Sequence, residues 1–255
     1  MPKPKGKTSW EPVAKTYSDQ VGELGSYYHQ NVILPGVLRL LNLDAKSSVL
    51  DLGCGQGVLS RVIPDAVTYF GLDASPSLIE SAKTLKTSAT STRFFKVQNV
   101  AQPFGLTKTN FTHVVMILCL QNMADLGTVM ANVRKHLKKD GQCLIVLNHP
   151  YFRIPKSTSW EIDDQTDTQF RRVDAYLSPQ KIPIDMTPGK TKSTLTWSFH
   201  RSLQDYCSVF AKNNLFIETL EEWASDKQSQ GRHAQRENRA RQEFPLFMAI
   251  LLRKG

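Results

Sequence analysis

The chain has 255 residues, 40% hydrophobic and 22% charged, which is ordinary globular composition and room for one large α/β domain with insertions. Thirty-two basic against 23 acidic residues give a net charge of +9, dispersed rather than striped, so a basic soluble protein is favoured over a dedicated binder of nucleic acid or acidic membrane. There is no internal repeat, no low-complexity tract and no apolar run of membrane-spanning length, and the basic start Met1–Lys7 has no apolar stretch behind it, so a cytoplasmic location is expected.

Four cysteines, Cys54, Cys119, Cys143 and Cys207, form no C-x-x-C pair, and the six histidines lack ligand spacing with them. Reduced thiols and no metal site are expected. At the N-terminus, Trp10, Val13, Tyr17 and Val21 recur at helical spacing, as do Val37, Leu38, Leu40 and Leu41. Two helices joined by the link Gly22–His29 are therefore predicted over residues 1–43, ahead of a domain spanning 44–255.

The stretch Ser48–Leu59 reads as a buried strand, a glycine turn and a helix. Glycines at such a turn admit unusual φ/ψ values and let a ligand approach the backbone. Gly53, Gly55 and Gly57 do not fit the dinucleotide spacing G-x-G-x-x-G, and Gln56-Gly57-Val58 has neither the lysine nor the hydroxyl of a P-loop. What remains, D-x-G-x-G-x-G from Asp51 to Gly57, resembles the first motif of the class I S-adenosylmethionine-dependent methyltransferases. Asp73 ends the next strand, Thr68–Asp73, 20 residues past Gly53, where a carboxylate accepts both ribose hydroxyls. Ser75-Pro76 then caps a helix.

That resemblance implies S-adenosylmethionine as cofactor and a Rossmann-like, seven-stranded, mostly parallel sheet with an antiparallel last strand and helices on both faces. It places Gly53, Gly55 and Gly57 at the methionine moiety, with Asp51 orienting its amino group and Cys54, Ala74 and Leu118 nearby. It also implies an N-terminal lid, in which Tyr17 and Tyr28 meet the cofactor and Tyr27 and His29 the substrate, or else the same aromatics dock the helix onto the sheet. After the third strand, Arg93–Asn99, related enzymes often carry Asp for the adenine amino group. Asn99 stands here, with Gln98 as the alternative and Val100 against the ring.

The run Phe111–Cys119 predicts a central parallel strand. Gln121 and Asn122 follow it at a carboxyl strand end, where ligands of open α/β sheets bind. Leu120-Gln121-Asn122 is similar to a turn of the ubiquinone and menaquinone C-methyltransferases, with Gln121 in place of their arginine. No Asn-Pro-Pro-Tyr or Asp-Pro-Pro-Tyr is present, which argues against methylation of base or glutamine amino groups. The next helix, through Leu137, is expected to stop at Asp140-Gly141 before a fifth strand, Cys143–Asn148.

Residues of about 150–200 are too many for a plain connection and read as a substrate-covering insertion. The stretch Ser157–Gln169 is read as polar, Ile182–Gly189 as irregular or short strands, and Thr194–His200 as a strand. His149 is the candidate general base, because only histidine has an unperturbed pKa near neutrality, or it bonds a loop backbone. Asn122 is the second catalytic candidate, and Tyr151 a further substrate contact. A helix from Ser202 and two strands, Phe216–Trp223 and Pro245–Leu252, complete the chain. Arg232–Arg241 reads as a solvated helix or as a contact to an anionic substrate. The function expected is methyl transfer to oxygen, nitrogen or carbon of a small molecule. An RNA or protein methyltransferase and a non-catalytic cofactor-binding scaffold are the alternatives, and the sequence is silent on oligomeric state.

Overall fold

Two short helices, α1 (Ala14–Val21) and α2 (Leu34–Leu41), open the fold, the first led by a 3-10 turn at Glu11–Val13 and the second by a wide turn at His29–Ile33. They come from a computed structural model that describes residues 8–85, 92–106, 109–189 and 193–255. The basic start Met1–Lys7 and most of the polar stretch Thr84–Thr92 lie outside the described residues. Val37 and Leu41 of α2, with Ile33 before it, bury their stripe against Val49, Leu144, Val146 and Phe247 of the sheet.

Gly36 lets α2 approach closely: a Cβ there would lie 2.5 Å from Trp223 Cζ2 and 2.6 Å from Cη2. Ala is favoured over Gly inside a helix by about 1 kcal/mol. Overpacking against a held ring costs about 1–3 kcal/mol, and this ring is held, because Trp223 Nε1 donates to Glu221 Oε2 at 2.8 Å. Gly36→Ala is therefore expected to lower stability by about 1 kcal/mol in urea denaturation; a gain would show that helix propensity outweighs the contact.

The central sheet has the order β10-β11-β5-β4-β1-β2-β3. Its strands are β1 (Ser48–Leu52), β2 (Thr68–Asp73), β3 (Arg93–Val97), β4 (Phe111–Ile117), β5 (Leu137–Asn148), β10 (Leu215–Trp223) and β11 (Phe247–Lys254), with β11 antiparallel to both neighbours. On the face opposite α2, α4 (Leu126–His136) and α5 (Leu203–Lys212) bury Val129, Val133, Tyr206 and Phe210, while α3 (Pro76–Thr84) follows β2. The expected seven-stranded Rossmann-like sheet is present.

Three local expectations change. The helix predicted after Gly57 is one 3-10 turn, Leu59–Arg61. Its freed carbonyls are taken by Arg93, which donates to Ser60 O at 3.0 Å, Ile63 O at 3.1 Å and Pro64 O at 3.0 Å. Second, α4 runs straight into β5 at Leu137, and Asp140-Gly141 does not stop a helix: Asp140 sits at φ 56° beside a register shift in the β4–β5 pairing. Third, the polar stretch Ser157–Gln169, for which no element was expected, contains β6 (Thr158–Asp163), paired with β7 (Thr168–Val173); the strand expected over Thr194–His200 is present as β9 (Leu195–His200), paired with the short strand β8 (Gln180–Asp185). Helix α6 (Ala234–Glu243) packs on β7.

Candidate functional site

The carboxyl ends of β1, β2 and β4 surround a cavity of about 450 Å³, within the range of about 300–1,000 Å³ usual for small-molecule sites. Its floor is the glycine turn, pinned to β2 because Gly53 N and Cys54 N both donate to Leu72 O, at 2.7 and 3.0 Å. Gly53 and Gly55 take φ of 77° and 55°, and a Cβ on Gly53 would lie 2.8 Å from Cys119 Cβ. Only glycine fits there without strain. Gly57 does not reach the cavity wall; a Cβ on it would meet Phe95 at 2.9 Å, so this third glycine serves packing behind the turn.

Asp73 forms one wall. Its Oδ2 accepts from Gly55 N at 3.0 Å and its Oδ1 from Ser75 N at 2.9 Å. Burial raises its pKa against the pull of these amides. Each oxygen keeps a lone pair, enough for two ribose hydroxyls. Ala74, Asn99 and Val100 continue this wall. Asn99 Oδ1 accepts from Ala101 N at 3.0 Å, and among the described residues its amide N–H₂ has no hydrogen-bond partner. Gln98, the alternative, donates to Asn99 O at 3.2 Å and does not line the cavity.

Leu118 and Asn122 form the opposite wall. Leu118 lies in the left-handed region at φ 54°, a conformation costing an L-residue about 1–2 kcal/mol, and its carbonyl accepts from Gln121 Nε2 at 2.9 Å and Asn122 Nδ2 at 3.3 Å. Tyr17, Trp10, Trp197 and Phe199 also line the cavity. Trp10 and Tyr17 meet edge to face with ring centroids 5.6 Å apart. Sequence reading missed the role of Trp197 and Phe199, although the alternation over Thr194–His200 put both on one strand face.

The N-terminal segment is latched by Glu11. Its carboxylate accepts from Ser75 Oγ, from Ser77 Oγ at 2.6 Å and from Ser77 N at 3.3 Å, at the N-terminus of α3. Burial opposes the charge, yet these bonds hold its carboxyl below the usual carboxylate range. Glu11→Ala is expected to speed cofactor release about tenfold, the kinetic counterpart of roughly 1.4 kcal/mol, in stopped-flow fluorescence of the tryptophans. An unchanged off-rate would separate the latch from the cavity.

Other predicted residues lie elsewhere. Asp51 is 3% exposed beneath the turn, where Tyr69 O–H donates to its Oδ2 at 2.6 Å, and Cys54 Sγ faces the Gly71 backbone; neither lines the cavity. Tyr28 stacks edge-on to Phe247 at 5.7 Å with its hydroxyl 3.3 Å from Ser225 Oγ, Tyr27 O–H donates to Asp226 at 2.9 Å, and His29 Nδ1 lies 2.8 Å from Ser26 Oγ. The link thus docks on the sheet and on the loop after β10, and of the four aromatic candidates only Tyr17 reaches the cavity. Tyr151 packs against Phe152 and Tyr176, at 4.7 and 4.9 Å, in the insertion.

His149 is not poised as a base. Its Nδ1 accepts from Tyr151 N and Phe152 N, both at 3.2 Å, so Nε2 carries the proton and donates to Glu222 at 2.7 Å. Burial lowers its pKa, partly offset by Glu222. Both ring nitrogens are committed to holding the loop after β5. The arginines of α6 are committed too: Arg236 pairs with Asp167 at 2.6 Å, Arg239 donates to Gln169 O, and Arg241 bonds Ser229 and Asn238.

Residues 50–143 match the family described as "Methyltransferase domain". A 54-residue stretch is 37% identical to the uncharacterized methyltransferase C70.08c of Schizosaccharomyces pombe, a match covering 21% of either chain. Two crystal structures described as S-adenosylmethionine-dependent methyltransferases share the fold at TM-score 0.67: one from Listeria monocytogenes, 20% identical over 87% of this chain and 98% of that one, and one from Mesorhizobium loti, 21% identical over 86% and 96%. The strand order and the glycine turn are those of the class I S-adenosylmethionine-dependent methyltransferase fold, and residues 50–143, which carry that turn, are the part that matches a methyltransferase domain. Among the described residues no helix is long and apolar enough to cross a membrane, and no cluster of three or more His, Cys, Asp or Glu side chains is placed to hold a metal ion.

Proposed function

We propose that the protein transfers a methyl group from S-adenosylmethionine to a small molecule. The observation that carries this is the cavity at the strand ends, which gathers Asp73, the Gly53–Gly55 turn, Asn99 and the Trp10–Tyr17 pair around one space. The residues suit the cofactor. Asp73 supplies lone pairs for the ribose, Val100 and the unpartnered amide of Asn99 flank the place of the adenine, and the Gly55 cradle, where a Cβ would lie 3.4 Å from Tyr17 Oη, admits the methionine end. Bound there, the cofactor supplies an electrophilic sulfonium methyl that leaves with its bond to sulfur broken and the electron pair kept by sulfur.

The chain's own part is positioning and exclusion of water, which together supply much of the rate in such displacements. Trp197 and Phe199 from β9 narrow the acceptor side, and Asn122 is the polar group available there to orient a nucleophile. With His149 committed elsewhere, an acceptor whose nucleophile is deprotonated at neutral pH, or loses its proton to water, fits this site best. A small acceptor is favoured over RNA because Arg236, Arg239 and Arg241 are spent on the hairpin β6–β7 and on their own loop. Calorimetric titration with S-adenosylmethionine, S-adenosylhomocysteine and NAD tests the reading. Micromolar binding of the first two, about −8 kcal/mol, and none of NAD is expected; binding of NAD alone would overturn it.

A further inference from the structure

Beside the cofactor cavity, sharing Phe199 as a wall, lies a slot of about 30 Å³ between the turn after β4, the end of β5 and β9. Gln121 is its unusual member. It is 8% exposed, and its amide is oriented by chemistry, because Nε2 donates to Leu118 O at 2.9 Å and a flipped amide would set oxygen against oxygen. The carbonyl oxygen Oε1 is buried and, among the described residues, accepts no hydrogen bond. An unmet buried acceptor costs about 1–3 kcal/mol, so a site that keeps one has a use for a donor. His200, on the facing strand, donates through Nε2 to Tyr176 O at 2.7 Å, which leaves Nδ1 as a second acceptor.

Two cations line the slot, and one of them is uncommitted. Arg153 lines it, and among the described residues no acidic group pairs with its guanidinium, whereas Arg201 at the same slot is committed to Met123 O and Ala124 O at 2.8 and 2.6 Å. Glu222, the nearby acid behind His149, is already paired with it. The volume is about that of one water in the liquid, so the slot takes only the tip of a ligand, and a flat carboxylate is a closer fit than the bulkier tetrahedral phosphate.

We propose that this slot seats the polar end of the methyl acceptor, and that the acceptor is a small carboxylic acid carrying an N–H or O–H beside the carboxylate: Arg153 pairs the carboxylate and Gln121 Oε1 receives the neighbouring hydrogen. The inference rests on the methyltransferase reading and names its substrate class. The nucleophile then extends past Phe199 toward Asn122 and the cofactor. Asn148 also lines the slot, and its side-chain amide, which has no hydrogen-bond partner among the described residues, can donate to the second carboxylate oxygen.

The test uses the full chain saturated with S-adenosylhomocysteine, which cannot react. Five probes are titrated by calorimetry: 2-aminobenzoate and 2-hydroxybenzoate, their two carboxamides, which keep the donor and lose the anion, and benzoate, which keeps the anion and loses the donor. The two complete acids are expected to bind at least tenfold tighter than the other three. Arg153→Met, at an exposed position, should erase the difference between acid and amide, and Gln121→Met the difference between donor-bearing acid and benzoate, with melting curves confirming that each variant folds. Equal binding of all five probes, binding of none, or a preference that survives both substitutions would overturn the proposal while leaving the cofactor reading intact. Failure of S-adenosylhomocysteine itself to bind would instead overturn the methyltransferase reading, and this proposal with it.

Discussion

Replacing Asp73 by alanine is expected to weaken S-adenosylmethionine binding by about two to four orders of magnitude, since a hydrogen bond to a charged group contributes about 1.5–3 kcal/mol and two ribose hydroxyls are at stake. The same carboxylate also holds Gly55 N and Ser75 N, so the variant loosens the turn as well as the ribose contact. The fold should nevertheless survive. The two amides lose an acceptor, but a carboxylate whose pKa is raised by burial is itself costly to keep charged, and its removal returns part of that free energy. A cooperative thermal transition close to the parent's, together with lost calorimetric heat for the cofactor, is the expected pair of results. Retained affinity would remove Asp73 from the site, and a collapsed transition would make its role structural.

The backbone side of the site was legible in the sequence because it rests on short-range rules. A strand, three glycines and a carboxylate 20 residues on are local patterns, and each maps to one turn of chain. The seven-stranded sheet was implied by the resemblance that the Asp51–Gly57 motif carries, and the helix and strand signals along the chain agreed with it. What the sequence hid depends on contacts distant along the chain. The helix expected after Gly57 is shortened to a single turn whose carbonyls bond Arg93, more than 30 residues later in the case of Ser60. The polar stretch Ser157–Gln169 gave no strand signal because β6 and β7 form a hairpin apart from the main sheet, with Ile162 and Phe170 left exposed, and so lack a clean inward face. His149 had the right residue type at the right strand end, yet its chemistry is set by Glu222, 73 residues away, and by two amides of its own loop. Tyr28 and Tyr17 were indistinguishable as aromatics; only the path of the link, docking through Ser225 and Phe247, separates them.

The buried carboxylate of Asp51 gives the largest expected effect on stability. Its carboxyl is pushed up to about 7 from an ordinary 3.8, because burial outweighs the Tyr69 hydrogen bond and the charge of Asp73 adds to it. Between these two values the folded chain holds a proton that the unfolded chain has released, so stability falls as the pH rises from about 4 to about 7 and stays low above that. Three units correspond to about 4 kcal/mol as an upper bound, at about 1.4 kcal/mol per unit. Asn has no charge to desolvate at any pH, and its carbonyl can still accept from Tyr69 O–H. Asp51→Asn is therefore expected to raise stability by up to about 4 kcal/mol at pH 8, to give no advantage at pH 4, and to flatten the slope between them, read by urea denaturation across that range. A variant less stable than the parent at pH 8 would mean that the ionised carboxylate has a partner in the folded chain stronger than Tyr69.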